Sequence, residues 1–195
     1  MFAITERLLL RPGWADDAPA LTQAVNNPRI ARNLVALPWP YAMEDAHWFL
    51  DAVHGKCAPE FLIFTRAGGT PELVGGVGLH EDPEDPAGDP ELGYWIAEAH
   101  WGKGYATEAA RAVVDIARHS LKLKSLKSGY FVDNPASGQV LRKLGFRPTG
   151  KVVSRHSNGR GEAVACILVE RDFGKGDVIE LTPPLPGQMQ MQMAA

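Results

Sequence analysis

The sequence predicts a mixed α/β fold, one domain built on a single sheet. Runs with strand character alternate with longer runs whose apolar residues recur at helical spacing. A glycine-rich turn, Trp101 to Gly104, joins the strand-like run Leu92 to Ala97 to an amphipathic run that lasts to about Leu121. Near the C-terminus, two strand-like runs flank Ser157-Asn158-Gly159-Arg160-Gly161, which signals a closing hairpin. No repeat and no linker divides the 195 residues, a length that buries a substantial core.

Taken in order, Arg7 to Arg11 reads as a first strand, and Asp16 to Asn26 as a helix with Asp16 or Asp17 near its cap. Pro28, Pro38 and Pro40 then break the chain. Met43 to Val53 is a second helical stretch, and Glu60 to Arg66 a strand that turns through Ala67-Gly68-Gly69-Thr70 into Glu72 to His80. Glu91 to Ala97 is the next strand. The helix Lys103 to Ser120 follows, with Ala106, Ala109, Ala110, Val113, Ile116 and Ala117 on one face for packing on the sheet. Ser125 to Asp133 is a strand, Pro135 to Leu144 a helix stopped by Gly145, and Arg147 to Arg155 with Glu162 to Glu170 the closing hairpin. Residues 1–173 thus form the domain. From Gly174 the chain is rich in proline, glutamine and methionine and has little to pack, so 174–195 is expected to be a flexible tail.

The turn before the long helix carries the chemistry. A glycine-rich turn that becomes a helix points unpaired N–H groups outward at the positive end of the helix dipole, where a pyrophosphate can settle. Gly102 and Gly104 put no side chain in the way. This is not a Walker A loop, because Lys103 sits between the two glycines and the Mg²⁺-binding hydroxyl is out of frame. Nor is it a dinucleotide fingerprint: the third glycine is missing, and no ribose-binding carboxylate follows until Asp133.

The wider pattern is more specific. Thr5-Glu6-Arg7-Leu8-Leu9-Leu10-Arg11, Glu91-Leu92-Gly93-Tyr94-Trp95-Ile96, Trp101 to Ala109, Asn134-Pro135-Ala136-Ser137 and Leu144-Gly145-Phe146 occur in that order. Together they resemble the GNAT superfamily of acyl-CoA N-acyltransferases, most closely its RimJ/RimL-type branch, over residues 4–172. The superfamily's pyrophosphate loop reads Gln/Arg-x-x-Gly-x-Gly/Ala, and Trp101 to Ala106 matches it with Trp101 in the basic position, a replacement usual in this branch. The resemblance implies the GNAT fold: a mixed, mostly antiparallel sheet of six to seven strands, splayed at its centre and flanked by about four helices.

It also implies the site. Acetyl-CoA is the expected cosubstrate, its pyrophosphate held by the amides of Gly102, Lys103, Gly104, Tyr105, Ala106 and Thr107, with Trp101 also expected at the coenzyme. Its pantetheine arm is expected to pair with the main chain of Ile96 and Ala97, in a slot between that strand and Ser125 to Asp133, with a polar contact from Asn134. Asn134 equally suits a helix cap before Pro135. The chemistry needs a neutral amine, an oxyanion donor and a proton for the departing thiolate. Glu91 is the first candidate base, acting through water, and His80 the second. The superfamily's tyrosine seven residues beyond the asparagine is Leu141 here, so Ser137, three residues beyond, is the expected acid; it also suits a cap. The amide of Ile96 is the expected oxyanion donor.

The acceptor is a primary amine. An α-amine with a pKa of roughly 7.7 to 8.0 loses its proton far more readily than a lysine near 10.4, so a protein N-terminus competes with small amines such as an amino acid, polyamine or antibiotic. A non-catalytic acyl-CoA-binding module would keep the same glycines yet transfer nothing. Residues 81–91 carry six carboxylates and would attract a cationic acceptor, or are solvated surface. Trp14, Trp39, Tyr41 and Trp48 fall in the region that lines the acceptor pocket in the superfamily, and most are expected to be core.

Composition narrows the classes. A formal net charge of −3 without a basic stripe argues against a nucleic-acid partner, and no apolar run is long enough for a membrane span. Cys57 and Cys166 read as free thiols, and the six histidines show no zinc-ligand spacing, so no metal is expected. The start lacks the pattern of a secretory signal, which makes the cytoplasm the expected location. Monomer and homodimer both stay open.

Overall fold

The computed structural model describes residues 1–53, 59–66, 69–81 and 88–174. One sheet organises them. Its strands are β1 (Ala3–Ile4), β2 (Leu8–Arg11), β3 (Glu60–Thr65), β4 (Leu73–His80), β5 (Glu91–Ile96), β6 (Ser125–Phe131), β7 (Arg147–Ser157) and β8 (Glu162–Asp172), in the order β1-β2-β3-β4-β5-β6-β8-β7. Every neighbouring pair is antiparallel except β5–β6, which is parallel. The eight strands exceed the six to seven expected because the two-residue β1 folds back on β2, pairing Ala3 with Leu10 and Ile4 with Leu9.

The helices are α1 (Ala18–Val25), α2 (Pro28–Ala31), α3 (Met43–Val53), α4 (Tyr105–His119) and α5 (Pro135–Lys143). The short α2 stands where the prolines were expected only to break the chain. There Asn27 accepts the Arg29 N–H at 2.8 Å and Pro28 occupies the first turn, so cap and proline start a helix instead of ending one. α4 begins at Tyr105, later than expected, because Gly102 and Gly104 take φ of +75° and +81°, values a helix cannot use. β6 stops at Phe131, where the Asn134 N–H returns to the Phe131 carbonyl at 2.8 Å and turns the chain into α5.

The two faces of the sheet carry separate cores. Because side chains alternate along a strand, Leu8, Leu10, Phe61, Ile63, Val77, Leu79, Leu92, Ile96 and Leu126 all point to the face covered by α4 and α5. α4 answers with Ala109, Ala110, Val113, Val114 and Ala117, small residues that let the helix approach closely. On the other face Leu62, Phe64 and Leu73 meet Leu21, Val25, Ala46 and Leu50 of α1 and α3. Of Trp14, Trp39, Tyr41 and Trp48, most of them expected to be core, only Tyr41 is buried; the three tryptophans are exposed. Cys166 is a buried free thiol, while Cys57 and the 175–195 tail lie outside the described residues.

Among the described residues no helix is long and apolar enough to cross a membrane, and no group of three or more His, Cys, Asp or Glu converges as a metal site.

Candidate active site

The sheet opens at its centre. β4 and β5 pair over six positions and β6 and β8 over seven, whereas β5 and β6 meet only at Glu91 and Lys127. There the Lys127 N–H reaches the Pro90 carbonyl at 3.0 Å, and the buried Ser128 hydroxyl donates to the Leu92 carbonyl at 2.8 Å. Beyond that point the strands diverge. Main-chain groups along an antiparallel strand face alternate sides, and the Ala97 N–H donates to Val74 on β4 at 2.9 Å. Leu92, Tyr94 and Ile96 therefore turn their main chain toward the gap. The main chain of Ile96 lies on this side, with its carbonyl already accepting the Trp101 indole N–H at 2.7 Å. Ala97 does not: its N–H belongs to β4 and its carbonyl accepts from His100, so Tyr94 takes its place as the second gap-facing residue.

The mouth of this gap is the glycine turn. A Cβ on Gly102 would meet nothing within 4 Å, so the glycine is required by its left-handed φ and not by crowding. Gly104 is the N-cap of α4 and offers no side chain to satisfy the first turn, whose first intrahelical bond is Glu108 N–H to Gly104 carbonyl at 3.1 Å. The amides of Tyr105, Ala106 and Thr107 thus lack an intrahelical acceptor. Long-range contacts brace the turn. Arg7 donates to the Lys103 carbonyl at 2.9 Å and pairs with Glu108, which also accepts from the Arg7 N–H at 2.8 Å and from Thr5 at 2.6 Å. Burial works to raise the Glu108 carboxyl, but these hydrogen bonds from Thr5 and Arg7 hold it below its ordinary value. Lys103 Nζ lies 3.2 Å from His100 Nδ1, whose other nitrogen meets Glu72 at 3.1 Å. A concavity of about 440 Å³ opens beside the turn, with Thr5, Arg7, Thr107 and Arg111 among its lining.

Across the gap, Asn134 caps α5, its side-chain oxygen accepting the Ser137 N–H at 3.3 Å. The Tyr94 hydroxyl comes from the opposite side, 2.8 Å from Ser137 Oγ and 3.0 Å from the Ser137 carbonyl. Burial pushes the Tyr94 phenol up to about 12, with the hydrogen bond to Ser137 acting the other way. From the sequence, Tyr94 is named only within the Glu91 to Ile96 motif and given no role of its own. The signal was its parity with Leu92 and Ile96, which places it on the α4 and α5 face. Leu141, where the superfamily's tyrosine is absent, is buried core.

The opposite face has a central strip of glycines. Gly78, Gly93 and Gly129 share it by register with Glu60, His80, Glu91 and Cys166. Each leaves room for a neighbour's side chain: Glu60 lies over Gly78, His80 over Gly93, and Cys166 with Arg155 over Gly129. Glu91 and His80 are thus brought together, but differently occupied. Both Glu91 oxygens accept from the Arg155 guanidinium, at 2.6 and 2.9 Å, a bidentate pair. His80 Nδ1 lies 3.2 Å from a Glu60 oxygen. Burial raises the Cys166 thiol, with Arg155 opposing it.

The rim is tied by charge. Arg29 pairs with Glu98, which also accepts from Asn27, and Arg29 lies over the Trp101 ring. Asp133 is held below the usual carboxylate range by two hydrogen bonds from Arg160 and by the charge of Arg32. The tip of the β7–β8 hairpin docks on the α2 segment, Asn158 N–H to the Val35 carbonyl at 3.0 Å and the Ser157 hydroxyl to Leu34 at 2.9 Å. Of the acidic stretch, residues 82–87 lie outside the described residues.

Residues 7–147 match the acetyltransferase (GNAT) domain family. YoaA of Bacillus subtilis (strain 168), an uncharacterized N-acetyltransferase, is 31% identical over 157 residues, covering 77% of this chain and 86% of that protein. The ribosomal-protein-serine acetyltransferase of Escherichia coli (strain K12) is 29% identical over 119 residues, 57% of this chain and 63% of the relative. Among solved structures, RimL, a ribosomal L7/L12 α-N-protein acetyltransferase in complex with coenzyme A, shares the fold with a TM-score of 0.72 at 21% identity, over 88% of this chain and 98% of that one.

Proposed function

The chain belongs to the GNAT acetyltransferase family and is an N-acetyltransferase, and from that premise we propose that it transfers the acetyl group of acetyl-CoA to a primary amine, foremost a protein N-terminal α-amine, by direct attack in a ternary complex. The observation that carries this reading is the continuity of an uncapped glycine turn with an open main-chain gap. The turn suits the pyrophosphate of a coenzyme, and the gap suits an extended arm that pairs with a strand edge. That RimL was solved with coenzyme A, and that the Escherichia coli relative acts on a ribosomal-protein serine, both favour it.

The amides of Gly102 to Thr107 hold the pyrophosphate, and Lys103, drawn toward His100, leaves the mouth of the turn clear. The N–H groups of Ile96 and Tyr94 face the arm and the thioester carbonyl; the deeper one, on Tyr94, stands beside Ser137. Asn134 organises this end by fixing the first turn of α5. The amine approaches from the glycine strip on the other face. Its nitrogen forms the bond to the carbonyl carbon, whose π pair moves onto the oxygen under the main-chain N–H groups. The amine gives up its proton to a base, the oxygen's pair re-forms the C=O bond as the C–S bond breaks, and the thiolate takes the proton of the Ser137 hydroxyl, which water then replaces.

His80 is the better placed base. Both Glu91 oxygens are taken up by the Arg155 guanidinium, so Glu91 serves instead to hold Arg155 over Gly129. The rim carboxylates Glu98 and Asp133 likewise have arginine partners, which favours an acceptor chosen by the reactivity of its amine over a polycation held by charge alone.

The test is a screen for thiol release with peptide N-termini and small amines side by side. Peptides bearing a free α-amine are expected to be turned over, while the same peptides blocked at that amine but carrying lysine are not. Release only with small amines would redirect the assignment of acceptor. In parallel, acetyl-CoA is expected to raise the melting temperature and ATP to leave it unchanged, since only a ligand that binds the folded state stabilises it.

A further inference from the structure

We propose that Glu60 is the positioning residue of the base, holding His80 through Nδ1 so that Nε2 presents its lone pair over Gly93 to the acceptor amine. This rests on the assignment of His80 as the base.

The geometry comes from three strands. Glu60 stands opposite Gly78 on the β3–β4 ladder, and because Gly78 has no side chain the carboxylate lies flat across it; a Cβ there would fall 2.5 Å from Glu60 Oε2. His80, two residues further along β4, shares the face and turns Nδ1 to that same oxygen at 3.2 Å. The other end of the ring lies over β5, where a Cβ on Gly93 would be 2.9 Å from Nε2. Two glycines on two strands therefore make the room in which a carboxylate and an imidazole meet edge to edge. A side chain at either position would push one of them away.

The arrangement divides the ring between two tasks. A neutral imidazole carries its proton on one nitrogen and its lone pair on the other, and a carboxylate beside Nδ1 selects the form with Nδ1–H and a free Nε2. Glu60 is well shielded, its side chain only 14 % exposed, whereas the His80 side chain is 52 % exposed, so the partner is fixed while the reacting nitrogen stays open to water and to an amine. Nε2 sits above Gly93, the residue before Tyr94, whose N–H enters the gap from the strand edge. A thioester carbonyl bound at that N–H lies one residue from the imidazole. When the amine forms its bond to carbon, its proton moves to Nε2, and the resulting imidazolium keeps its Nδ1–H against Glu60 until Nε2 returns the proton to water. Nearby charged groups on this face include Glu91, opposite His80 on β5 and paired with Arg155, Lys127 opposite Glu91 on β6, and Glu170 opposite Lys127 on β8.

Glu60→Gln, His80→Gln and the double variant test the proposal in the full-length protein. Removing a general base costs on the order of 10² in kcat, and removing its positioning partner is expected to cost about tenfold, with the KM for acetyl-CoA unchanged. In the His80→Gln background the Glu60→Gln change is expected to cost nothing more, because a residue acting through another is silent once that other is gone. Nitrogen-15 NMR of the resting protein is expected to show His80 protonated on Nδ1 in the parent and a mixture of tautomers in Glu60→Gln. Equal losses in both backgrounds, an unchanged tautomer, or normal kcat in His80→Gln would each overturn the proposal. A parent that transfers acetyl to no amine would instead overturn the reading beneath it, and the tautomer measurement, which needs no turnover, tells the two failures apart.

Discussion

The Tyr94 and Ser137 side chains meet with 2.8 Å between their oxygens. The Tyr94 O–H donates to the Ser137 carbonyl at 3.0 Å, so its oxygen can accept from the Ser137 hydroxyl, and the phenol thereby fixes the side chain that is to give its proton to sulfur. Burial pushes the phenol up to about 12, so Tyr94 stays protonated and able to donate across the whole physiological range. Ser137→Ala is expected to lower kcat by about 10² and Tyr94→Phe by about tenfold, both with the KM for acetyl-CoA retained, and the double variant to match Ser137→Ala alone. Steady-state kinetics over the four proteins checks this. A Tyr94→Phe protein with full kcat would show that Tyr94 only packs. Neither contact was legible beforehand: Ser137 came from a resemblance over four residues, and its partner stands 43 positions away on another element.

At the scale of elements, the turn into α4 is proposed to bind through its main chain, so the informative substitutions change backbone conformation. Gly104 sits at φ +81° with only Arg7 near the place of a Cβ, at 3.4 Å. Gly104→Ala is expected to cost about 1 to 2 kcal/mol from left-handed strain, and to raise the KM for acetyl-CoA more than it lowers kcat. Denaturant melts and coenzyme titration separate the two effects. The strap that fixes the turn, Glu108 with Thr5 and Arg7, gives a dependence on acid. A carboxyl held below its unfolded value stabilises the fold fully above that value, about 4.5, and stops doing so as pH falls through its lower folded value. Between pH 5 and pH 2, therefore, the melting temperature of the parent is expected to fall more steeply than that of Glu108→Gln. Parallel melting curves would show that the strap contributes nothing to stability. The strand, glycine turn and helix were readable from sequence because each rests on local preferences. The strap was not, because it joins residues about a hundred positions apart.

At the scale of the whole molecule, the sheet separates two cores among the described residues and opens between β5 and β6, where the proposed coenzyme and acceptor faces meet. The far edge returns over the acceptor face when the β7–β8 hairpin docks on the α2 segment. Gly159 makes the approach possible, since a Cβ there would lie 2.5 Å from the Ala31 carbonyl oxygen. Gly159→Ala is expected to cost about 1 to 3 kcal/mol and to raise the KM for the amine while leaving that for acetyl-CoA alone, because it forces apart two segments at the rim. Bisubstrate kinetics decides this; equal effects on both substrates would mean that the rim does not shape the acceptor site. The hairpin itself followed from its turn residues. Where its tip lands did not, because α2 was hidden in a proline-rich stretch that reads as a break.

By itself the sequence determined the order of strands and helices, the glycine turn and the family, since periodicity, helix starts and positive φ are preferences of neighbouring residues. The tertiary structure alone decided which side chain meets which. It gave Glu91 to Arg155, His80 to Glu60 and Ser137 to Tyr94. Those pairings depend on strand register and on where glycines leave space, and both are fixed only when distant segments come together.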